Sequence, residues 1–266
     1  MRLEGKTVLL TGATGGLGRA TAVALAERGA ALVLSSRKAE DLDELVAGLP
    51  GEGHRAIVSD LAEDGAALRL LEAAGDLDVL VANAGLPASG RLEGFSQEQI
   101  GRALRVNLES PVRMTRELLP AWQERRSGHF VFVSSISGFV STPRASLYAA
   151  TKFGLRGFAL NLREDLRRSG IGVSVITPGA IREAGMFADS GVKLPRGVGT
   201  RKPEDVASAV ISGIEKNRAE IDVAPFSLSS GARAFGLAPS LVAAVNRRLG
   251  ANPLATAIAE GQRDKR

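Results

Sequence analysis

The chain has 266 residues, 44% apolar and 24% charged, with a net charge of +5 and no cysteine. These values fit one large globular domain with a substantial core and exclude a disulfide framework; no apolar run reaches the roughly 18–20 residues of a membrane span. Basic residues are mostly interleaved with acids, as in Arg163-Glu164-Asp165, and at 4% aromatics no stacking platform is visible, so nucleic acid is not an expected partner.

Met1 to Gly5 lead straight into the first apolar segment with no secretory signal, so a cytoplasmic location is expected. Short buried-type runs recur near 6–11, 31–36, 54–59, 78–82, 129–134, 171–177 and 220–224, with helical patterns between them. The alternation predicts an α/β fold in a single domain: a doubly wound, Rossmann-type parallel sheet of about seven strands with right-handed crossovers.

The first strand ends in Thr11-Gly12-Ala13-Thr14-Gly15-Gly16-Leu17-Gly18 before an alanine-rich helix. Phosphates need this arrangement: Gly12 allows a tight turn, Gly16 lets backbone approach a pyrophosphate, and Gly18 lets helix pack on strand. The helix start adds unpaired N–H groups and the positive end of its dipole. Leu34-Ser35-Ser36-Arg37-Lys38 ends the second strand, Asp60-Leu61 follow the third, and Asn83-Ala84-Gly85 the fourth. Ser96 and Gln99 form a capping box opening a long helix toward Trp122, with Asn107 inside it. Ser135 ends the fifth strand, and Pro178-Gly179 close the sixth. In such sheets ligands sit beyond the carboxyl ends of the strands, where all of these turns converge.

The segment 182–202 is long and rich in small residues, either an active-site lid or an ordinary surface loop. Pro203 opens a helix whose buried stripe is Val206, Val210 and Ile214. Residues 1–225 form the expected dinucleotide-binding domain, and 226–266 a helical extension packed on it or on a partner. Within the extension, Pro239 to Leu249 is an amphipathic helix candidate, with Leu241, Val242, Val245 and Leu249 on one side. Arg247-Arg248 make membrane-surface attachment the lesser alternative.

The only tyrosine, Tyr148, precedes Lys152 by one helical turn, so phenol and ammonium share a face. An adjacent ammonium favours phenolate and lowers a phenol pKa that is otherwise near 10. Ser135 is placed to bring its hydroxyl to the same point. Taken alone, the pair reads equally well as a packing tyrosine beside a surface lysine. His54 and His129 open their strands at the opposite sheet end, where a solvated or capping role is expected. No His, Cys and carboxylate cluster has metal-ligand spacing, so no metal is expected.

Together, Thr11-Gly12-x-x-x-Gly16-x-Gly18, Asn83-Ala84-Gly85, Asn107, Ser135, Tyr148-x-x-x-Lys152 and Pro178-Gly179 resemble the short-chain dehydrogenase/reductase family over about residues 5–224. The resemblance implies Tyr148 as general acid/base and Ser135 as the group that polarises a substrate carbonyl. It implies Lys152 on the nicotinamide ribose and Asn107 holding a water in a proton relay. Cofactor contacts are implied for Gly12, Thr14, Gly16, Leu17, Gly18, Arg37, Asp60 and Leu61, and for Asn83, Gly85, Tyr148, Lys152, Pro178, Gly179 and Ile181. Asp60 matches the family's adenine-contacting acid. Cofactor choice also has a direct physical argument. No acid ends the second strand to repel a 2′-phosphate, and Arg37 offers a planar donor fork, so NADP(H) is expected. Gly15, where some NADP-preferring relatives carry a basic residue, adds no charge.

Two departures from the family pattern stand out. Glu183 occupies the place of a threonine that often bonds the nicotinamide carboxamide, and about forty residues follow the last strand. The expected activity is hydride transfer between NADP(H) and a ketone or secondary alcohol. A non-catalytic NADPH-binding sensor is the rival reading; it predicts loss of one of the four catalytic groups. Phe139, Leu147, Met186 and Phe187 hint at an apolar substrate pocket and Arg144 at an anionic group. Gly154 and Gly157, with the 96–122 helix, resemble the family's dimerising surface, so a homodimer is expected.

Overall fold

The computed structural model describes residues 1–192, 199–235 and 251–263. Its strands are β1 Thr7–Thr11, β2 Ala31–Ser36, β3 Arg55–Val58, β4 Val79–Ala82, β5 Gly128–Val133, β6 Ile171–Pro178 and β7 Glu220–Val223. They form one sheet in the order β3-β2-β1-β4-β5-β6-β7, and every neighbouring pair is parallel.

Each central strand alternates its side chains between two apolar layers, which is why the runs read as continuously hydrophobic. Val8, Leu10, Val79, Val81, Val131 and Val133 face helices α1 (Gly16–Ala26), α2 (Ala39–Ala47) and α7 (Pro203–Lys216). Leu9, Leu80, Phe130 and Phe132 face α3 (Ala66–Ala74), α5 (Ser110–Glu124) and α6 (Ser146–Asp165). The predicted Val206, Val210 and Ile214 stripe is fully buried. Trp122 lies 4.3 Å from Phe130 between ring centroids and donates its indole N–H to the Leu77 carbonyl at 2.9 Å. Emptying that indole site costs about 3–5 kcal/mol, so Trp122→Ala is the change that most threatens this layer.

The Ser96–Gln99 capping box forms, with Ser96 Oγ accepting from Gln99 N at 3.1 Å. The helix it opens is not continuous, contrary to expectation. Helix α4 (Gln97–Leu104) passes through a π-helical turn, Arg105–Glu109, before α5 begins. One added residue there rotates Asn107 inward, a common device beside functional sites.

His129 also departs from expectation. It is 2% exposed, with Nε2 2.9 Å from Ser174 Oγ. Ser174 gives its own proton to the Arg218 carbonyl at 2.6 Å, so its oxygen accepts from His129 Nε2–H. Burial pushes the His129 pKa down to about 3, because an imidazolium there is cut off from water. His54 behaves as expected of a capping group: Nδ1 accepts from Leu32 N at 3.1 Å and Nε2 donates to the Pro50 carbonyl at 2.9 Å.

After β7 come helix α8 (Phe226–Phe235) and a terminal helix, Ala251–Gly261. The candidate helix from Pro239 to Leu249, Arg247 and Arg248 included, lies outside the described residues. Among the described residues no helix is long and apolar enough to cross a membrane.

Candidate active site

At the carboxyl edge of the sheet, β1 turns into α1 through Gly12, whose φ of +66° suits glycine. A Cβ on Gly18 would stand 2.2 Å from the Gly12 carbonyl oxygen, so helix and strand meet this closely only through glycine. Asn83 pins the turn from β4, its Nδ2 donating to the carbonyls of Thr11 (3.0 Å) and Gly12 (3.1 Å). Thr11 Oγ1 in turn accepts from the N–H groups of Asn83 and Ala84. The N-cap of α1 is Gly15, with no side chain to cap the first-turn N–H groups. Those donors and the positive dipole end face a cleft of about 730 Å³.

Thr14, Gly16, Leu17, Gly18, Arg37, Asp60, Leu61 and Gly85 line the same cleft. Thr14 Oγ1 lies 2.6 Å from Ser36 Oγ, which fixes the mouth of β2. The exposed Arg37 guanidinium has no ion pair or hydrogen bond among the described residues. Asp60 spends one carboxylate oxygen on Ala62 N at 2.9 Å and keeps the rest toward the cleft.

The cleft continues past Leu17, Asn83, Gly85 and Met186 into a second lobe of about 530 Å³. Ser135, Tyr148 and Lys152 stand together in its wall, beside Pro178, Gly179 and Ile181. Ser135 is in extended backbone at the end of β5, and its Oγ accepts from Ser137 N at 3.1 Å. That leaves the hydroxyl proton for Tyr148, whose oxygen it meets. Lys152 is 3% exposed and donates from Nζ to the Val133 carbonyl at 2.9 Å.

The electrostatics differ from the expectation of an acidified phenol. Burial pushes Tyr148 up to about 12, while the Ser135 hydroxyl pulls it down. Lys152, itself lowered to about 8 by burial, lies with Nζ 5.7 Å from the Tyr148 ring centroid and bonded to Val133. Its ammonium therefore does not offset the desolvation of a phenolate.

Asn107, fully buried in the π turn, holds both backbone groups of Leu86: Oδ1 accepts from Leu86 N at 2.7 Å and Nδ2 donates to Leu86 O at 3.0 Å. Nδ2 also reaches Thr151 Oγ1 on α6, at 3.3 Å. The expected substrate-pocket residues divide. Met186, Phe187 and Arg144 line the second lobe. Phe139 instead lies under Arg156, 4.0 Å from its guanidinium carbon, and Leu147 belongs to a separate cluster with Phe95 and Ala103.

Glu183 turns away from the lobe: it is exposed, at φ +73°, and pairs with Arg182 at 3.0 Å. The sequence reading missed the other wall. Leu254, Ala255, Ile258 and Gln262 come from the terminal helix and its end, and Leu228 from α8. Their signal was the i, i+4, i+8 spacing of Leu254, Ile258 and Gln262.

A groove with a glycine turn and bare helix start at its middle and a guanidinium at one end is a fit for a dinucleotide. The short chain dehydrogenase family model matches residues 6–193. The chain belongs to this family. The ketoacyl reductase HetN of Nostoc is 35% identical over 227 residues, which cover 83% of this chain and 79% of HetN. A solved 3-ketoacyl-(acyl-carrier-protein) reductase from Brucella melitensis, complexed with NADH, is 27% identical with a TM-score of 0.73, covering 83% of this chain and 97% of that one. A short-chain dehydrogenase from Sphingobium yanoikuyae, in complex with NADPH, is 27% identical with a TM-score of 0.74, covering 90% and 95%. This chain is thus a short-chain dehydrogenase whose similar structures include both an NADH and an NADPH complex.

Proposed function

We propose that this short-chain dehydrogenase is an NADP(H)-dependent reductase of ketones attached to an apolar chain, with an acyl thioester-like carbonyl as the favoured substrate class. The carrying observation is that Ser135, Tyr148 and Lys152 meet in an apolar lobe continuous with the glycine-turn cleft. The names of HetN and of the Brucella enzyme support the substrate class.

When bound, a reduced nicotinamide supplies the hydride. Gly12, Gly16 and the α1 start would hold its pyrophosphate, Arg37 the 2′-phosphate, and Asp60 and Leu61 the adenine. Lys152 would hold the ribose, with Pro178, Gly179 and Ile181 beside the ring. Ser135 donates to the substrate oxygen, and Tyr148 gives its proton to that oxygen as negative charge develops. A phenol with pKa near 12 keeps its proton across neutral pH, which suits it to the reductive direction. Asn107 acts as a positioning residue, tying the Gly85–Leu86 turn to α6. The apolar wall keeps water from the reacting carbonyl.

A dimer through the α4–α6 surface belongs to the same reading. Leu104 and Phe153 stay exposed there, and a Cβ on Gly157 would meet nothing within 4 Å. The deciding experiment measures NADPH and NADH consumption with 3-ketoacyl thioesters, simple ketones and sugars. Preferred turnover of thioesters with NADPH supports the proposal. Tight NADPH binding with no turnover of any carbonyl would instead favour the sensor reading.

A further inference from the structure

Gln262 lies just past the end of the terminal helix, 5% exposed, in the wall shared by the two lobes of the groove. Its Nε2 donates to the Met186 carbonyl at 3.0 Å. That bond fixes the orientation of the amide, because a carbonyl can only accept and the nitrogen must face it. Oε1 consequently faces elsewhere, and it is the one buried side-chain N or O atom among the described residues without a partner. Leaving such an acceptor dry and unpaired is costly, and native structures do so where another molecule completes the bond.

The helix that carries Gln262 is firmly seated here. A Cβ on Gly261 would stand 2.3 Å from the Ser190 carbonyl oxygen, and Ala255 and Ala259 are buried. The missing partner must therefore be a donor that reaches the junction between the dinucleotide lobe and the Tyr148 lobe. Glu183 is out of contention, since it points to solvent and binds Arg182.

Resting on the cofactor reading above, we propose that Gln262 Oε1 accepts a hydrogen bond from the N–H₂ of the nicotinamide carboxamide. The primary amide is the hydrogen-bond donor at the nicotinamide ring's edge, and a side-chain amide oxygen is its natural acceptor. The segment beyond the last strand then does more than wall off the substrate. It reads which ring the cofactor carries and helps set the face presented to the carbonyl.

The test compares NADPH with its acetylpyridine analogue, in which a methyl ketone replaces the carboxamide and no N–H remains. Dissociation constants are measured by calorimetry for the wild type, Gln262→Met and Gln262→Ala, with 2′,5′-ADP as a probe lacking the nicotinamide half. The wild type is expected to bind NADPH roughly five- to tenfold more tightly than the analogue. Both variants are expected to lose that discrimination while binding 2′,5′-ADP unchanged. The near-isosteric methionine keeps the shape of the wall, so loss of discrimination in it alone already supports the bond. Discrimination that survives both substitutions overturns the proposal, as does equal weakening of both dinucleotides. Failure of the wild type to bind either dinucleotide would overturn the cofactor reading itself, a different and recognisable result.

Discussion

The two halves of the groove are built by different means. The dinucleotide half is backbone: a glycine turn at φ +66°, a bare helix start, and the Asn83 clamp on Thr11 and Gly12. Its residues come from the first three βα units and keep short-range spacings. The carbonyl half is side chain, assembled from β5, α6, the turn after β6, α8 and the terminal helix. A backbone cradle tolerates almost no change of residue, whereas an apolar wall tolerates many, so the two halves are free to vary independently.

That separation can be broken by substitutions that should act on one half only. Tyr148→Phe removes the proton but little shape, and is expected to lower turnover about 10²–10⁴-fold with NADPH affinity within twofold of wild type. Stopped-flow turnover beside equilibrium binding checks it, and near-normal turnover would end the assignment.

A change far from both halves supplies the control. His129 sits at the other end of the sheet with its pKa lowered from 6.5 to about 3 by burial. Between those values the unfolded chain binds a proton that the folded chain refuses. The stabilising contribution is therefore complete above pH 6.5 and lost as the pH falls toward 3, up to about 4–5 kcal/mol. His129→Gln keeps a donor for Ser174 and cannot be protonated, so urea unfolding should show a flatter acid limb without altered ligand binding near neutrality. An unchanged pH slope would place the acid sensitivity elsewhere.

Arg37→Glu should weaken NADPH binding roughly 10- to 100-fold and leave NADH within about threefold, by loss of a charge-assisted phosphate contact. Equal loss for both nucleotides would remove Arg37 from the phosphate site. Smallest of the set, Ile258→Asp puts a carboxylate into the apolar wall. It should raise KM for an apolar ketone roughly tenfold while the NADPH dissociation constant stays put. Should KM not move, the terminal helix is not part of the substrate wall.

Much of the fold was readable because each buried strand needs apolar residues on both faces, and the runs at Val8–Leu10 and Val79–Val81 show just that. The chemistry at Tyr148 and Ser135 was readable as proximity but not as electrostatics. One helical turn between Tyr148 and Lys152 says that they share a face, yet not that Nζ points at the Val133 carbonyl. Phe139 and Leu147 show the same limit, since apolar identity does not tell a pocket wall from a packed layer. Gln262 escaped notice because its partner, Met186, is 76 residues away.

Local rules sufficed for the sheet, the glycine turn and the Tyr148–Lys152 face, since period, φ preference and helical pitch act over a few residues. Tertiary packing alone decided the π turn's inward Asn107, the high Tyr148 pKa, the neutral His129 and the wall raised by the chain's end. Desolvation and long-range hydrogen bonds depend on which distant atoms arrive, and no spacing along the chain encodes that.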